Sequence, residues 1–145
     1  MKVEPYSDKY FLDVMALIES FHVEAVSEYD AEFDPEAAIE TIKTADHANA
    51  FLMIIEDRCQ GILYGTRLRS PNNGKDIFQE VMWYVSPAFR RYGVRLLREV
   101  EKILKSSGVS IMIMAVLENS KAEKIKDFYE RLGFKAMETH YVRSL

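Results

Sequence analysis

One cysteine in 145 residues, Cys59, excludes any internal disulfide framework. It falls in an expected turn, Asp57-Arg58-Cys59-Gln60-Gly61, with no paired histidine and no basic cluster to activate it, so it reads as a structural thiol. The three histidines, His22, His47 and His140, stand apart, and no Cys/His spacing suited to a metal occurs, so no metal is expected. No apolar run approaches the roughly 20 residues that span a bilayer. The start, Met1-Lys2-Val3-Glu4-Pro5, lacks a hydrophobic signal segment, and the expected setting is cytoplasmic, away from membrane. A basic excess is missing too: 19 Lys and Arg face 23 Asp and Glu, for a net charge of −4. That speaks against non-specific nucleic-acid binding, which needs a positive surface. There is no internal repeat, and no Gly-x-x-x-x-Gly-Lys-Ser/Thr loop for a nucleotide-dependent enzyme.

What is present suits one domain over residues 1–145, since 48% hydrophobic and 29% charged residues can build and solvate a full core. A short strand is expected over Lys2–Pro5. Ser7 offers an N-cap, and a helix should run to Val26 with Tyr10, Phe11, Val14, Leu17, Ile18 and Phe21 on one stripe. Glu24, Glu28, Asp30, Glu32 and Asp34 then crowd together, as either a solvated loop or a rim that attracts a cationic substrate. Asp34-Pro35 is a cap followed by proline at the first helical position, opening a second helix to Thr44. Ala50–Glu56 reads as a strand buried on both faces, followed by strands over Ile62–Leu68 and Ile77–Val85 in an antiparallel meander. After Gly93 the period turns helical, with Leu96, Leu97, Val100, Ile103 and Leu104 inward, and Ser106-Ser107-Gly108 ends that helix. A strand over Val109–Leu117, a helix capped by Asn119 or Ser120 and stopped by Gly133, and a last strand over Phe134–Arg143 complete the order. A strand–helix–strand unit over Ile77–Leu117 calls for a parallel crossover, so the expected class is α/β, a mixed sheet with helices on both faces.

The most informative stretch is Trp83-Tyr84-Val85-Ser86-Pro87-Ala88-Phe89-Arg90-Arg91-Tyr92-Gly93-Val94. It reads as a strand, an arginine-and-glycine turn and an amphipathic helix. A helix N-terminus carries unpaired N–H groups and partial positive charge, glycine lets the backbone approach an anion, and arginine adds a forked cation. This pattern suits a phosphate-bearing cofactor.

With Val85-x-Pro87, Arg90-Arg91-Tyr92-Gly93-Val94-Arg95 and Phe128-Tyr129-Glu130-Arg131-Leu132-Gly133-Phe134, the chain resembles the GCN5-related N-acetyltransferase (GNAT) superfamily. The resemblance covers the element order over nearly the full length and is sharpest from Glu80 to Phe134. It implies a GNAT-like mixed sheet, mostly antiparallel with one splayed parallel pair. It also implies acetyl-CoA as co-substrate and direct acetyl transfer to a primary amine of a small molecule or protein, in a ternary complex without an acyl-enzyme. The family's Gln/Arg-x-x-Gly-x-Gly/Ala signature is matched at Arg90 and Gly93, with Arg95 where Gly or Ala is usual. Alternatively Gly93 is the family's last glycine, and the loop is two residues shorter, with Arg90, Arg91 and Arg95 compensating for lost N–H groups. Asn119 and Tyr129 are ten apart, against seven in many members.

The resemblance assigns cofactor contacts to Val85, Arg90, Arg91, Tyr92, Gly93, Val94, Arg95 and Asn119, with the backbone N–H around Val85 polarising the thioester carbonyl. Glu80, in the strand Phe78-Gln79-Glu80-Val81-Met82-Trp83, is the candidate base. Burial would raise its pKa to a useful range; the other reading is an edge residue or salt-bridge partner. Tyr129 is the candidate acid for the departing thiolate; otherwise it is a core tyrosine among Ile125, Phe128 and Leu132. Trp83 and Tyr84 read as packing residues. The other functional reading is a non-catalytic acyl-CoA-binding or protein-interaction module. A homodimer is left open.

Overall fold

The computed structural model describes residues 1–29, 32–119 and 121–145. Asp30 of the acidic stretch and the cap candidate Ser120 lie outside the described residues. The strands are β1 (Lys2–Pro5), β2 (Ala50–Ile55), β3 (Arg58–Arg69), β4 (Asp76–Val85) and β5 (Val109–Ile113), and the α-helices are α1 (Phe11–Phe21), α2 (Pro35–Thr44), α3 (Gly93–Ser106) and α4 (Ala122–Arg131). The sheet order is β1-β2-β3-β4-β5. Neighbours are antiparallel except β4 and β5, which run parallel across the α3 crossover. The expected mixed sheet is the one observed.

Alternation in the strands divides the core between two faces. Leu52, Ile54 and Ile62 pack with Val14 and Leu17 of α1 and Ile42 of α2. Phe51, Met53 and Leu63 pack on the other face with Leu96, Leu97, Val100 and Leu104 of α3 and with Phe128 and Leu132 of α4. A period of two, apolar in both phases, is what two-sided burial requires.

Local chemistry accounts for most boundaries. Asp34 accepts hydrogen bonds from the N–H groups of Glu36 and Ala37, with Pro35 opening α2 as expected. The β2–β3 connection is tighter than the five-residue turn expected: Glu56 and Asp57 alone make it, both at positive φ (50° and 58°), as a two-residue hairpin demands. Helix 1 does reach Val26, but its last five residues, His22–Val26, are wound as a π-helix. Ser7 makes no side-chain cap; a 3₁₀ turn, Asp8–Tyr10, starts the helix instead.

In β4, Phe78 faces α3, yet Met82 and Tyr84, of the same parity, face α1. The pairing skips Val81, from Tyr64↔Met82 to Gly65↔Glu80, and this bulge inverts the phase. Gly65 lies opposite it. A Cβ there would sit 2.4 Å from the Gln79 carbonyl oxygen and 2.4 Å from Phe78 Cζ, so only glycine fits.

Two strands fall short of expectation. β5 ends at Ile113, not Leu117, because β4 no longer runs beside it there. The last strand, Phe134–Arg143, does not form. Phe134 joins the core under α4, and its N–H donates to the Tyr129 carbonyl at 3.0 Å, closing the helix. Beyond it, residues 135–145 are exposed and outside the sheet. Met137, Tyr141, Val142 and Leu145 are all exposed there.

Candidate functional site

β4 and β5 pair only from Asp76↔Val109 to Gln79↔Ile113. Beyond Gln79 the strands part, and the first residue in the fork is Glu80. Its parity with Phe78, ahead of the bulge, turns it toward the α3 and α4 side. Its Oε2 accepts a hydrogen bond from the Ala115 N–H at 2.8 Å. The Ala115 carbonyl accepts one from Tyr129 Oη at 3.3 Å. A single residue beyond β5 thus links the β4 carboxyl to the α4 phenol, and the two candidate proton carriers share one small neighbourhood.

Both groups are perturbed. Glu80 is 9% exposed, and burial pushes its carboxyl up to about 7 from an ordinary 4.5, against the smaller opposing pull of the Ala115 N–H. Tyr129 is 7% exposed; burial first, then the Glu80 charge, holds its phenol proton well above the usual tyrosine range. A carboxyl near neutrality can take a proton, while the phenol stays protonated and offers a hydrogen-bond donor.

Trp83 faces the same side. Its ring stacks on Tyr129 (centroids 6.1 Å apart, planes 29°) and tilts against Phe128 at 6.0 Å. Its indole Nε1 is buried with no hydrogen-bond partner among the described residues. Tyr84 packs on the opposite face as expected, and its hydroxyl donates to Glu24 Oε1 at 2.6 Å.

The expected arginine-and-glycine turn is not open. Pro87–Tyr92 winds as a 3₁₀ helix that leads directly into α3, and the Gly93 N–H donates to the Arg90 carbonyl. Pro87 at its first position favours that start. The arginines are drawn elsewhere. Arg90 forms an ion pair with Glu24, whose carboxyl is held low by the Tyr84 hydroxyl and by Arg90. Arg91 donates to the Tyr92 hydroxyl at 3.3 Å and lies over that ring, and Arg95 is exposed on α3. Val85 is buried and pairs with Gly61 of β3, and Val94 is half-buried at the start of α3. Asn119 is occupied locally: its Oδ1 accepts from the Lys121 N–H at 2.9 Å in the turn that enters α4. The Tyr29 hydroxyl donates to the Glu118 carbonyl, tying the acidic stretch to that same turn.

Three features fit an anionic, acyl-bearing cofactor at the fork. The first turn of α3 has no acidic residue and no side-chain cap to oppose an anion. Gly93 is at φ −55°, and a Cβ there would meet Trp83 Cζ2 at 3.6 Å and Val85 Cγ2 at 3.9 Å, both ordinary contacts. Nothing in the fold itself requires glycine at 93. The third is the orphaned indole N–H below it. Against these, the Glu80–Ala115 bond spans the fork. Two surface clefts, of about 590 Å³ beside Asp127, Glu130 and Arg131 and of about 390 Å³ around Thr41, Asp46, Asn49, Gly65 and Arg67, are lined by neither Glu80 nor Tyr129. Among the described residues no helix is long and apolar enough to cross a membrane, and no three metal-ligating side chains gather.

Sequence reasoning singled out Glu80 and Tyr129, which the structure brings together, but missed their common partner, Ala115, because its contribution is backbone. It also missed the tie of Glu24 to Arg90, which join across 66 positions of chain. Cys59 is buried, its thiol pushed up to about 12 by burial, as befits a structural residue.

No curated protein matches the sequence. Among solved structures, the ribosomal-protein-alanine N-acetyltransferase from Brucella melitensis biovar Abortus 2308 superposes with a TM-score of 0.77 at 16% identity, covering 99% of this chain and 98% of that one. An aminoglycoside acetyltransferase from an uncultured soil metagenomic sample gives 0.74 at 16% identity, over 99% and 97%. A transcriptional regulator from Bacillus halodurans C-125 gives 0.76 at 15%, over 99% of both. At such identities the likeness speaks for the fold. The model of the acetyltransferase (GNAT) family matches residues 13–134, most of the chain, and with a sheet forked between parallel β4 and β5, this protein belongs to the GNAT acetyltransferase family.

Proposed function

We propose that the protein is an acetyl-CoA-dependent N-acetyltransferase that delivers an acetyl group to a primary amine by direct transfer within a ternary complex. The observation that carries the reading is the buried Glu80 carboxyl, pushed up to about 7 and joined through Ala115 to the Tyr129 phenol at the fork of the sheet. Acetyl-CoA supplies an activated thioester. Glu80, directly or through water, takes the proton that the amine must lose to attack; with a pKa near the working pH it is matched to that task. Tyr129, which keeps its proton, gives it to the departing thiolate. The backbone around Val85 supports the developing oxyanion. The α3 N-terminus at Gly93 and Val94, with Tyr92, Arg91 and Arg95, receives the phosphates. Arg90 joins them only by leaving Glu24, and Asn119 only by leaving its turn.

Replacing Glu80 by Gln keeps shape and removes the base. Turnover at saturating amine falls about 100-fold, while acetyl-CoA affinity holds. An unchanged rate rejects Glu80 as the base. In the parent enzyme, the rate rises with pH through about 7 and then levels. The acceptor reading is a cationic amine, drawn by exposed Glu28 and Glu32 of the acidic stretch. A preference for neutral or acidic amines removes it.

The closed 3₁₀ approach to α3 and the Glu80–Ala115 bond favour one other reading, a non-catalytic acyl-CoA-binding or protein-interaction module. Thermal shift with acetyl-CoA, followed by free-thiol release on an amine panel, separates the two. Binding with no release on any amine selects the module.

A further inference from the structure

The indole N–H of Trp83 is the one buried polar group at the fork that the described fold leaves without a partner. Leaving a buried donor unmade costs stability. Replacement by phenylalanine would remove that cost and keep the stacking on Phe128 and Tyr129. The position of the N–H within the fork gives the indole a purpose. In an indole ring, Cζ2 and Nε1 are both bonded to Cε2, so the N–H lies on the edge that faces Gly93, where Cζ2 comes within 3.6 Å of a Cβ position. On its flank lies Tyr129, stacked at 6.1 Å. The indole therefore touches both Gly93, at the start of α3, and the ring of Tyr129. Gly93 itself has helical φ and space for a methyl group, so the same spot carries an unused donor and an unrequired glycine.

We propose that Trp83 is a cofactor-binding residue: its N–H donates to an oxygen on the diphosphate–pantetheine arm of a bound acyl-CoA that passes beside Gly93. This rests on the acyl-CoA reading above. The chemistry asked of the ligand is a hydrogen-bond acceptor oxygen, which both phosphate and the pantetheine amides provide.

The test compares the full chain with its Trp83→Phe variant by calorimetric titration with acetyl-CoA and with ADP, and by melting of both free proteins. The expected result is an affinity for acetyl-CoA reduced about tenfold, with the melting temperature of the free variant unchanged or raised. A parallel loss for ADP assigns the acceptor to the diphosphate; a loss for acetyl-CoA alone assigns it to the pantetheine arm. Because Trp83 is the chain's sole tryptophan, its emission reports on the same contact, and binding should shift it in the parent protein. Parent binding with a variant affinity within twofold overturns the inference and leaves the acyl-CoA reading standing. A free variant that melts several degrees lower, or fails to fold, with no emission shift in the parent, shows that the indole serves the fold alone. A parent protein that binds no acetyl-CoA overturns the reading itself.

Discussion

From Asp76 to Gln79, β4 is paired on both sides, with β3 from Arg69 to Thr66 and with β5 from Val109 to Ile113. From Glu80 to Val85 it is paired with β3 alone. In the first half, the fully buried Phe78 packs against Phe51. In the second half are a carboxyl pushed toward neutrality and an indole N–H with no partner. One strand thus moves from a stretch whose groups are satisfied by the fold to a stretch where they are held at a cost to it. Such costs are tolerated where another task depends on them. The bulge at Val81 and its glycine, Gly65, mark the border.

The largest effect is expected at that border. Gly65→Ala drives a methyl group into backbone and into a fully buried ring, and should cost about 3 kcal/mol, lowering the melting temperature by roughly 10 °C. A loss under about 0.5 kcal/mol would mean that the two halves are not divided by a rigid bulge.

Next comes the pH response of Glu80. Its folded pKa lies above its unfolded value, so between pH 4.5 and about 7 the native state holds a proton that the unfolded state has released, and stability falls as pH rises. The full difference is about 3 kcal/mol, lost above pH 7. Urea unfolding of the parent and of Glu80→Gln across pH 5 to 8 should show the parent losing stability relative to the variant. Parallel curves would show that Glu80 is as well solvated as an ordinary carboxylate.

Gly93→Ala sharpens the contrast with Gly65. Helix propensity favours alanine and the contacts are ordinary, so unfolding should change by less than about 1 kcal/mol or show a gain. Acetyl-CoA titration should show weakened binding. A protein both destabilised and unaltered in binding would place Gly93 with the fold. The smallest effect belongs to Arg90→Met. The pair with Glu24 is largely exposed, and its loss should cost at most about 1 kcal/mol, shrinking further with added salt.

These contrasts show how far the sequence could be read. Apolar runs in both phases at Phe51–Ile54 located two-sided burial, and Asp34-Pro35 located a helix start, because both depend on neighbours in the chain. Glu80 was legible as a charge within an apolar strand. Which way it points was not, since the phase is set by a bulge that forms only against β3. The turn before α3 was misread because Pro87–Tyr92 has no residue that forbids a 3₁₀ helix, and the tail was misread because a strand exists only where an edge receives it.

By itself, then, the order of residues determined most of the elements, the mixed sheet and the presence of a carboxyl in β4 and a phenol in α4, through periodicity, capping and local backbone preference. Tertiary structure alone decided that Glu80 meets Ala115, that Glu24 holds Arg90, that β5 stops at Ile113 and that an indole N–H is left over. Each of these joins groups far apart in the chain, and their energies come from burial and hydrogen bonding that exist only once the sheet and its helices have closed on one another.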